Sequence, residues 1–199
     1  MLKIPGSFAY VRQQEPSGLG HAVWCARHLI GDEPVAVILA DDLIKGSKTI
    51  GEMIENYTSG NMLAIMEVEK NEVSSYGIIT PGKTLSNNNI DIFDLVEKPS
   101  IEKAPSNLAV VGRYIIEPTI FDVLENQNKD SNNEIQLTDA IASRIGKSVC
   151  TGYKFSGERF DCGSKLGFIK ANIKYSIERN EFNKELKQWL KDEILKSEN

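Results

Sequence analysis

Six apolar residues in unbroken succession, Val35-Ala36-Val37-Ile38-Leu39-Ala40, are followed at once by two carboxylates, Asp41 and Asp42. A run that stays apolar on both alternating faces predicts a strand covered on both sides, as at the centre of an α/β sheet. It is the longest apolar run in the chain and is far too short to cross a bilayer, which takes about 20 apolar residues in a helix. The two aspartates then fall at the strand edge where open α/β sheets usually bind their ligands.

The residues before this run extend the pattern. Residues 8–13, Phe-Ala-Tyr-Val-Arg-Gln, alternate and are rich in aromatic and branched side chains, which predicts a strand stopped by Glu15-Pro16-Ser17-Gly18. From Gly20 the apolar residues Val23, Ala26, Leu29 and Ile30 recur at helical spacing as far as Gly31, a helix stop. Strand, helix and strand would make a βαβ unit. Further on, the periodicity predicts helix over 53–61, strands over 62–69 and 76–80, a turn-rich loop over 81–89, and a strand over 90–98 that Pro99 stops. A strand over 108–116, a helix over 119–127, a polar loop over 128–133 and a helix near 135–145 follow. A strand near 149–155, a loop through Cys162, and helices near 165–179 and 181–196 complete the chain. The class is α/β with helices gathered at the end, and no fixed-period repeat is present.

At 199 residues and 41% hydrophobic, the chain can bury one substantial core and a small appendage without metals or disulfides. The net charge of -5 argues against a nucleic-acid surface, which needs clustered Lys and Arg. Cys25, Cys150 and Cys162 form no CxxC pair and read as reduced thiols. The first residues lack a signal-peptide core, so the expected setting is soluble and cytoplasmic, with no membrane and no nucleic acid as partners.

Several positions could carry chemistry, each with a plainer alternative. Gly18 and Gly20 lack a Cβ, so a planar anionic ligand could lie flat against them beside the free N–H groups of a helix start, or they could simply form a turn. His21, Cys25 and His28 share a helix face and imitate a metal set, but the third lies a further turn along and no nearby cluster completes it. Asp41 and Asp42 could hold magnesium, which takes one or two carboxylates with phosphate and water, or could be capping or solvated aspartates. Asp161, in Arg-Phe-Asp-Cys-Gly-Ser, is a second carboxylate of this kind, or an N-cap. Glu97 offers an acceptor for sugar hydroxyls and Lys98 a cation for phosphate, with Pro99 biasing Lys98 to an extended conformation. Neighbours on a regular strand point to opposite faces, so the two can serve one ligand only where the strand ends; otherwise they are a surface pair.

Taken in order, VRQQEPSGLGHAVWCARHLIGDEPVAVILADD, YGII, VEKPSIEKAPSNLAVVGRYII, EIQLTDAI and FDCGSKLGFIKA make the chain resemble the bacterial UTP-glucose-1-phosphate uridylyltransferases. The resemblance implies a Rossmann-like nucleotide-diphospho-sugar transferase fold over residues 1–199, with C-terminal helices over about 164–196. It implies transfer of a uridylyl group from UTP to glucose 1-phosphate, giving UDP-glucose and pyrophosphate, with Mg2+. By resemblance Gln13 reads the uracil edge and Gly18 packs against the nucleotide. Asp41 and Asp161 hold magnesium, Gly77 and Glu97 contact the sugar, and Lys98 meets its phosphate. The family opens with a strand and a G-x-G-T-R-x-x-P loop that do not occur in this sequence, so the chain is expected to correspond to the later part of such an enzyme. Its partners would then include UTP, glucose 1-phosphate, UDP-glucose, and a homo-oligomer or a complementing N-terminal chain. The alternative to a uridylyltransferase is a non-catalytic remnant that binds nucleotide or homologous subunits.

Overall fold

The computed structural model describes residues 6–86 and 88–197. The chain divides into two compact units, one of Met1–Ile38 and Lys48–Phe155, the other of Leu39–Ser47 and Ser156–Asn199.

The first unit is built on a six-stranded mixed sheet. Its strands are β1 (Val35–Ile38), β3 (Asn61–Glu67), β4 (Gly77–Ser86), β5 (Asn89–Glu97), β6 (Leu108–Ile116) and β7 (Cys150–Lys154), in the order β1-β6-β3-β7-β5-β4. All neighbours are antiparallel except β3 and β7, and β4 also touches β6 where Ile78 faces Ala109. The strands covered on both faces are β3, β6 and β7; Met62, Leu63, Ile65 and Ile116 of the first two are almost wholly buried. Flanking helices are α1 (Gly18–Cys25), α2 (Thr49–Asn56), α3 (Ile120–Asn126) and α4 (Leu137–Ala142), with 3-10 turns at Arg27–Leu29 and Lys70–Ser75. They seal the sheet with Met53, Ile120, Leu124, Leu137 and Ile141, each under 2% exposed.

Several expectations are corrected here. Residues 8–13 form no strand. Phe8 is 89% and Tyr10 97% exposed, and a strand without a neighbour to take its N–H and C=O groups is not a stable element in water. Among the described residues the anticipated βαβ unit is therefore absent, and the first strand is β1. The run at 35–40 is not central either: β1 has one neighbour, alternates half-buried with exposed residues, and leaves Ile38 53% exposed. The helix from Gly20 stops at Cys25 and continues only as the 3-10 turn. The loop expected over 81–89 is mostly strand, because β4 lies at the sheet edge and register shifts on both sides of Pro81 absorb its missing donor.

The second unit pairs β2 (Asp42–Lys45) with β8 (Glu158–Asp161) in an antiparallel ribbon and adds the helices α5 (Lys165–Ser176) and α6 (Asn183–Ser197). Strand β8 lies in what the sequence presents as a loop, since four residues flanked by glycine show little periodicity. Ser164 caps α5 by accepting a hydrogen bond from the Gly167 N–H at 3.0 Å, and the helix rests on the ribbon through Ala171 and an edge-on contact of Tyr175 with Phe160. Ion pairs Lys45–Glu178 (2.6 Å) and Lys174–Glu158 (2.8 Å) flank this packing. Among the described residues no helix is long and apolar enough to cross a membrane.

Candidate active site

The stretch around α1 shows why its backbone is so bare. Gly18 has φ +89°, and a Cβ there would lie 2.7 Å from the Ile135 carbonyl oxygen and 2.9 Å from Glu134 Cβ. A Cβ on Gly20 would meet the same oxygen at 2.7 Å. The two segments are stitched together, the Gly20 N–H donating to Ile135 O and the Ile135 N–H to Ser17 O, both at 2.8 Å. The space that a Cβ on either glycine would take is thus filled by the chain's own backbone, which is one sufficient reason for glycine at both positions.

Gln13 is held against this helix start. Its Nε2 donates to the Gly18 carbonyl at 3.0 Å and lies 3.0 Å from His21 Nδ1. With the amide nitrogen donating, Nδ1 accepts, and the His21 proton sits on Nε2, which faces Cys25 Sγ at 3.8 Å. His21 and Cys25 are therefore links in a hydrogen-bonded chain from Gln13, while His28 lies on the exposed turn beyond the helix. Among the described residues no group of three or more His, Cys, Asp or Glu side chains is gathered to hold a metal.

A second cluster forms where β4, β5 and α4 meet. Gly77 stands opposite Glu97 in the antiparallel register. A Cβ on Gly77 would lie 3.1 Å from Glu97 Oε2 and 3.0 Å from the Thr138 methyl carbon, so the position admits little more than hydrogen. Thr138 Oγ1 donates to Glu97 Oε2 at 2.7 Å, and Lys98 Nζ lies 3.7 Å from Glu97 Oε1. Lys98 is not extended, as its proline neighbour suggests, but has φ +44°. Its N–H donates to the Tyr76 carbonyl at 3.0 Å, and β5 ends at Glu97, so the left-handed residue breaks the alternation and lets adjacent side chains meet. Such strain before a proline persists only where its surroundings over-determine it. The neighbourhood is acidic. Burial, then the charges of Glu97 and Asp130, pushes the Asp139 carboxyl up. Asp130 is held below the usual carboxylate range by the Glu134 N–H and the Gln136 side chain, with the Lys98 charge adding to this.

In the second unit, Asp42 faces Asp161 across the β2–β8 ribbon, so Asp41 stands immediately before β2 and Asp161 closes β8. The Cys162 N–H donates to the Asp41 carbonyl at 2.7 Å, and the Gly163 N–H to Asp161 Oδ1 at 3.0 Å. A Cβ on Gly163 would lie 2.9 Å from Asp41 Oδ2 and 3.1 Å from Asp161 Oδ1. Two carboxylates distant in sequence thus converge on one point above a glycine, and neither forms an ion pair among the described residues. Hard, charged oxygen donors in this arrangement fit a small divalent cation. Asp42 serves differently: it is 5% exposed and ion-paired with Arg159 of β8.

The sequence-predicted residues therefore fall into three groups: Gln13 with Gly18, Gly77 with Glu97 and Lys98, and Asp41 with Asp161. The first two groups belong to one unit and the third to the other. Sequence reasoning missed Thr138, Arg159 and Gly163. Thr138 lies inside the EIQLTDAI stretch, but nothing in its spacing points to Glu97.

A mixed sheet flanked by helices in the first unit, and a paired-carboxylate ribbon in the second, define a protein of the α/β class. The comparison with known proteins is more specific. The family described as Nucleotidyl transferase matches residues 3–178, and the chain belongs to it. The UTP–glucose-1-phosphate uridylyltransferase 1 of Staphylococcus saprophyticus is 41% identical over 185 residues, covering 92% of this chain and 64% of that protein. A crystal structure of UDP-glucose pyrophosphorylase complexed with UDP-glucose is 45% identical with a TM-score of 0.81, covering 86% of this chain and 67% of that one. UTP-bound UGPase from Acinetobacter baumannii is 36% identical with a TM-score of 0.77, covering 90% of this chain and 64% of that one. The fold is thus the Rossmann-like α/β fold of those structures, and the chain spans just under two thirds of the length of the curated relatives it matches.

Proposed function

We propose that the chain serves uridylyl transfer from UTP to glucose 1-phosphate, giving UDP-glucose and pyrophosphate, with residues 1–199 working as one cytoplasmic nucleotidyltransferase domain. The observation that carries this reading is the convergence of Asp41 and Asp161 above Gly163, in a chain whose relatives bear that activity in their names. Asp41 and Asp161 would hold Mg2+, which when bound neutralises phosphate charge and polarises the α-phosphorus. A phosphate oxygen of glucose 1-phosphate forms a bond to the α-phosphorus of UTP as the bond to the pyrophosphate oxygen breaks. Such in-line transfer needs alignment and charge neutralisation rather than a protein nucleophile. Gln13, tied to the start of α1, reads the uracil edge through its remaining amide oxygen, with Gly18 beside it. Glu97 accepts from a sugar hydroxyl through its Oε1, and Lys98 pairs with the sugar phosphate. The open side of β1, where Ile38 is 53% exposed, supports a partner that adds a strand to this sheet.

The test is calorimetric Mg2+ binding, in the presence of UTP, by the chain and its Asp41→Asn, Asp161→Asn and Asp42→Asn variants, with pyrophosphate release measured alongside. Either of the first two substitutions should weaken Mg2+ binding by at least ~10-fold. Asp42→Asn should leave it within a few-fold and instead lower stability, because it removes the charge that pairs with the half-buried Arg159 guanidinium. Equal losses of Mg2+ binding at Asp41 and Asp42, with none at Asp161, would overturn the assignment.

A further inference from the structure

We propose that Thr138 is the residue that positions Glu97 for sugar discrimination, an inference that rests on Glu97 being the sugar contact. Thr138 is 7% exposed and stands in the first turn of α4. Both branches of its side chain are committed. The hydroxyl donates to Glu97 Oε2 at 2.7 Å, and the methyl lies 3.0 Å from where a Cβ on Gly77 would sit. Turning the side chain to another χ1 well would break the bond to Glu97 and move the methyl away from Gly77, so the two placements change together.

The consequence falls on the carboxylate. Oε2 is occupied by the Thr138 hydroxyl and packed beside Gly77, which fixes the plane of the group. Oε1 is the oxygen left to receive a ligand hydroxyl, beside Lys98 Nζ at 3.7 Å, on a side chain that is 20% exposed. One oriented acceptor discriminates among hexose epimers because a hydroxyl of the wrong configuration leaves a mostly buried charge unpaired. A freely rotating carboxylate would follow the hydroxyl and discriminate less. The helix that presents Thr138 is itself secured just before its first turn: Gln136, 8% exposed, donates to Asp130 Oδ2 at 3.0 Å and Glu134 Oε2 at 2.8 Å. The contact is therefore built into the fold from three directions, β4, β5 and α4.

Three variants of the full chain separate the hydroxyl from the methyl: Thr138→Ser keeps the donor, Thr138→Val keeps the shape, and Thr138→Ala removes both. Binding of UDP-glucose, UDP-galactose and UDP is measured by titration calorimetry. The wild type should prefer UDP-glucose. Thr138→Val and Thr138→Ala should reduce that preference by about tenfold while leaving UDP binding unchanged, and Thr138→Ser should retain it. A Val or Ala variant that keeps the full preference overturns the proposal, and if Val does not fold, Ala decides. Failure of the wild type to bind either nucleotide sugar overturns the parent reading instead. In that event the 13C resonance of the Glu97 carboxyl decides the positioning role: it should move in Thr138→Val and not in Thr138→Ser, and no movement in Thr138→Val refutes the contact.

Discussion

Replacing Gly18 by alanine tests whether the glycines at the start of α1 serve the protein's own packing or a ligand. Two costs add at this position. The residue has φ +89°, a conformation that costs an L-residue about 1–2 kcal/mol. The new methyl would also arrive 2.7 Å from the Ile135 carbonyl oxygen and 2.9 Å from Glu134 Cβ, and overpacking of this kind costs typically about 1–3 kcal/mol. The total is roughly 2–5 kcal/mol, which at about 2–4 °C per kcal/mol for a chain of this size lowers the melting temperature by roughly 4–20 °C. Two other glycines of the same unit isolate the terms. Gly146 has φ +83° with nothing within 4 Å of a Cβ, so its alanine variant carries the backbone strain alone. Gly31 has neither burden, and its alanine variant should be neutral or slightly stabilising. Differential scanning calorimetry of the ligand-free chain should therefore rank the losses Gly18 above Gly146 above Gly31. A Gly18→Ala variant no less stable than Gly146→Ala, yet impaired in nucleotide binding, would refute the packing explanation and restore the ligand as the reason for the bare backbone.

Two further outcomes follow from groups whose protonation the fold perturbs. Burial alone would push Glu117 up, but hydrogen bonds from Ser148, Thr119 and Arg144, with the Arg144 charge, outweigh it and hold the carboxyl below its ordinary value of 4.5. A depressed carboxyl contributes stability that is present above pH 4.5 and lost as pH falls through the lower folded value, so Glu117→Gln should flatten the acid limb of a melting-temperature profile between about pH 6 and pH 3. A wild-type profile that Glu117→Gln leaves unchanged would show that this cluster does not contribute. Burial, reinforced by the charges of Asp91 and Glu117, pushes the Cys150 thiol up to about 12, whereas Cys25 and Cys162 are partly exposed. Iodoacetamide at about pH 8 should label Cys25 and Cys162 in the native chain and reach Cys150 only after unfolding, since the thiolate is the nucleophile. Native labelling of Cys150, read by peptide mass spectrometry, would contradict its burial.

The elements that sequence reasoning located well are those whose own residues decide them. Strand β6 runs from Leu108 to Ile116, the bounds its dense apolar content predicts, and β3 and β5 fall within two residues of expectation. The failures are positions where a neighbour decides. Residues 8–13 have strand-forming side chains but no strand beside them, and β1 has a buried-strand composition but only one neighbour. Pro81 reads as a breaker, yet β4 continues past it because an edge strand can shift register around a missing donor. The same division runs through the candidate site. Glu97-Lys98-Pro99 and the aspartates are visible as residue types, but the left-handed turn at Lys98, the hydroxyl of Thr138 on Glu97 and the meeting of Asp41 with Asp161 depend on partners remote in sequence. Gly18 is conspicuous for a sound reason, its missing Cβ, and the backbone that fills the space a Cβ would take comes from Ile135, remote in sequence.

The second unit is discontinuous, with Leu39–Ser47 contributed early in the chain and Ser156–Asn199 late. Among the described residues strand β2 pairs with β8, so the backbone groups that make this ladder stay hydrated until β8 has been made. During synthesis Asp41 therefore waits while residues 48–155, with all the remaining strands of the large sheet, leave the ribosome, an interval of roughly 5–20 s at ordinary elongation rates. Closing so long a loop adds little entropic cost once the intervening sheet has folded and brought its ends to fixed places. The order of events is nevertheless strict. A nascent chain arrested after Phe155 carries every strand of the six-stranded sheet but only the Asp41 half of the Asp41–Asp161 pair, so the proposed capture of a divalent ion by that pair has to wait until translation has passed Asp161.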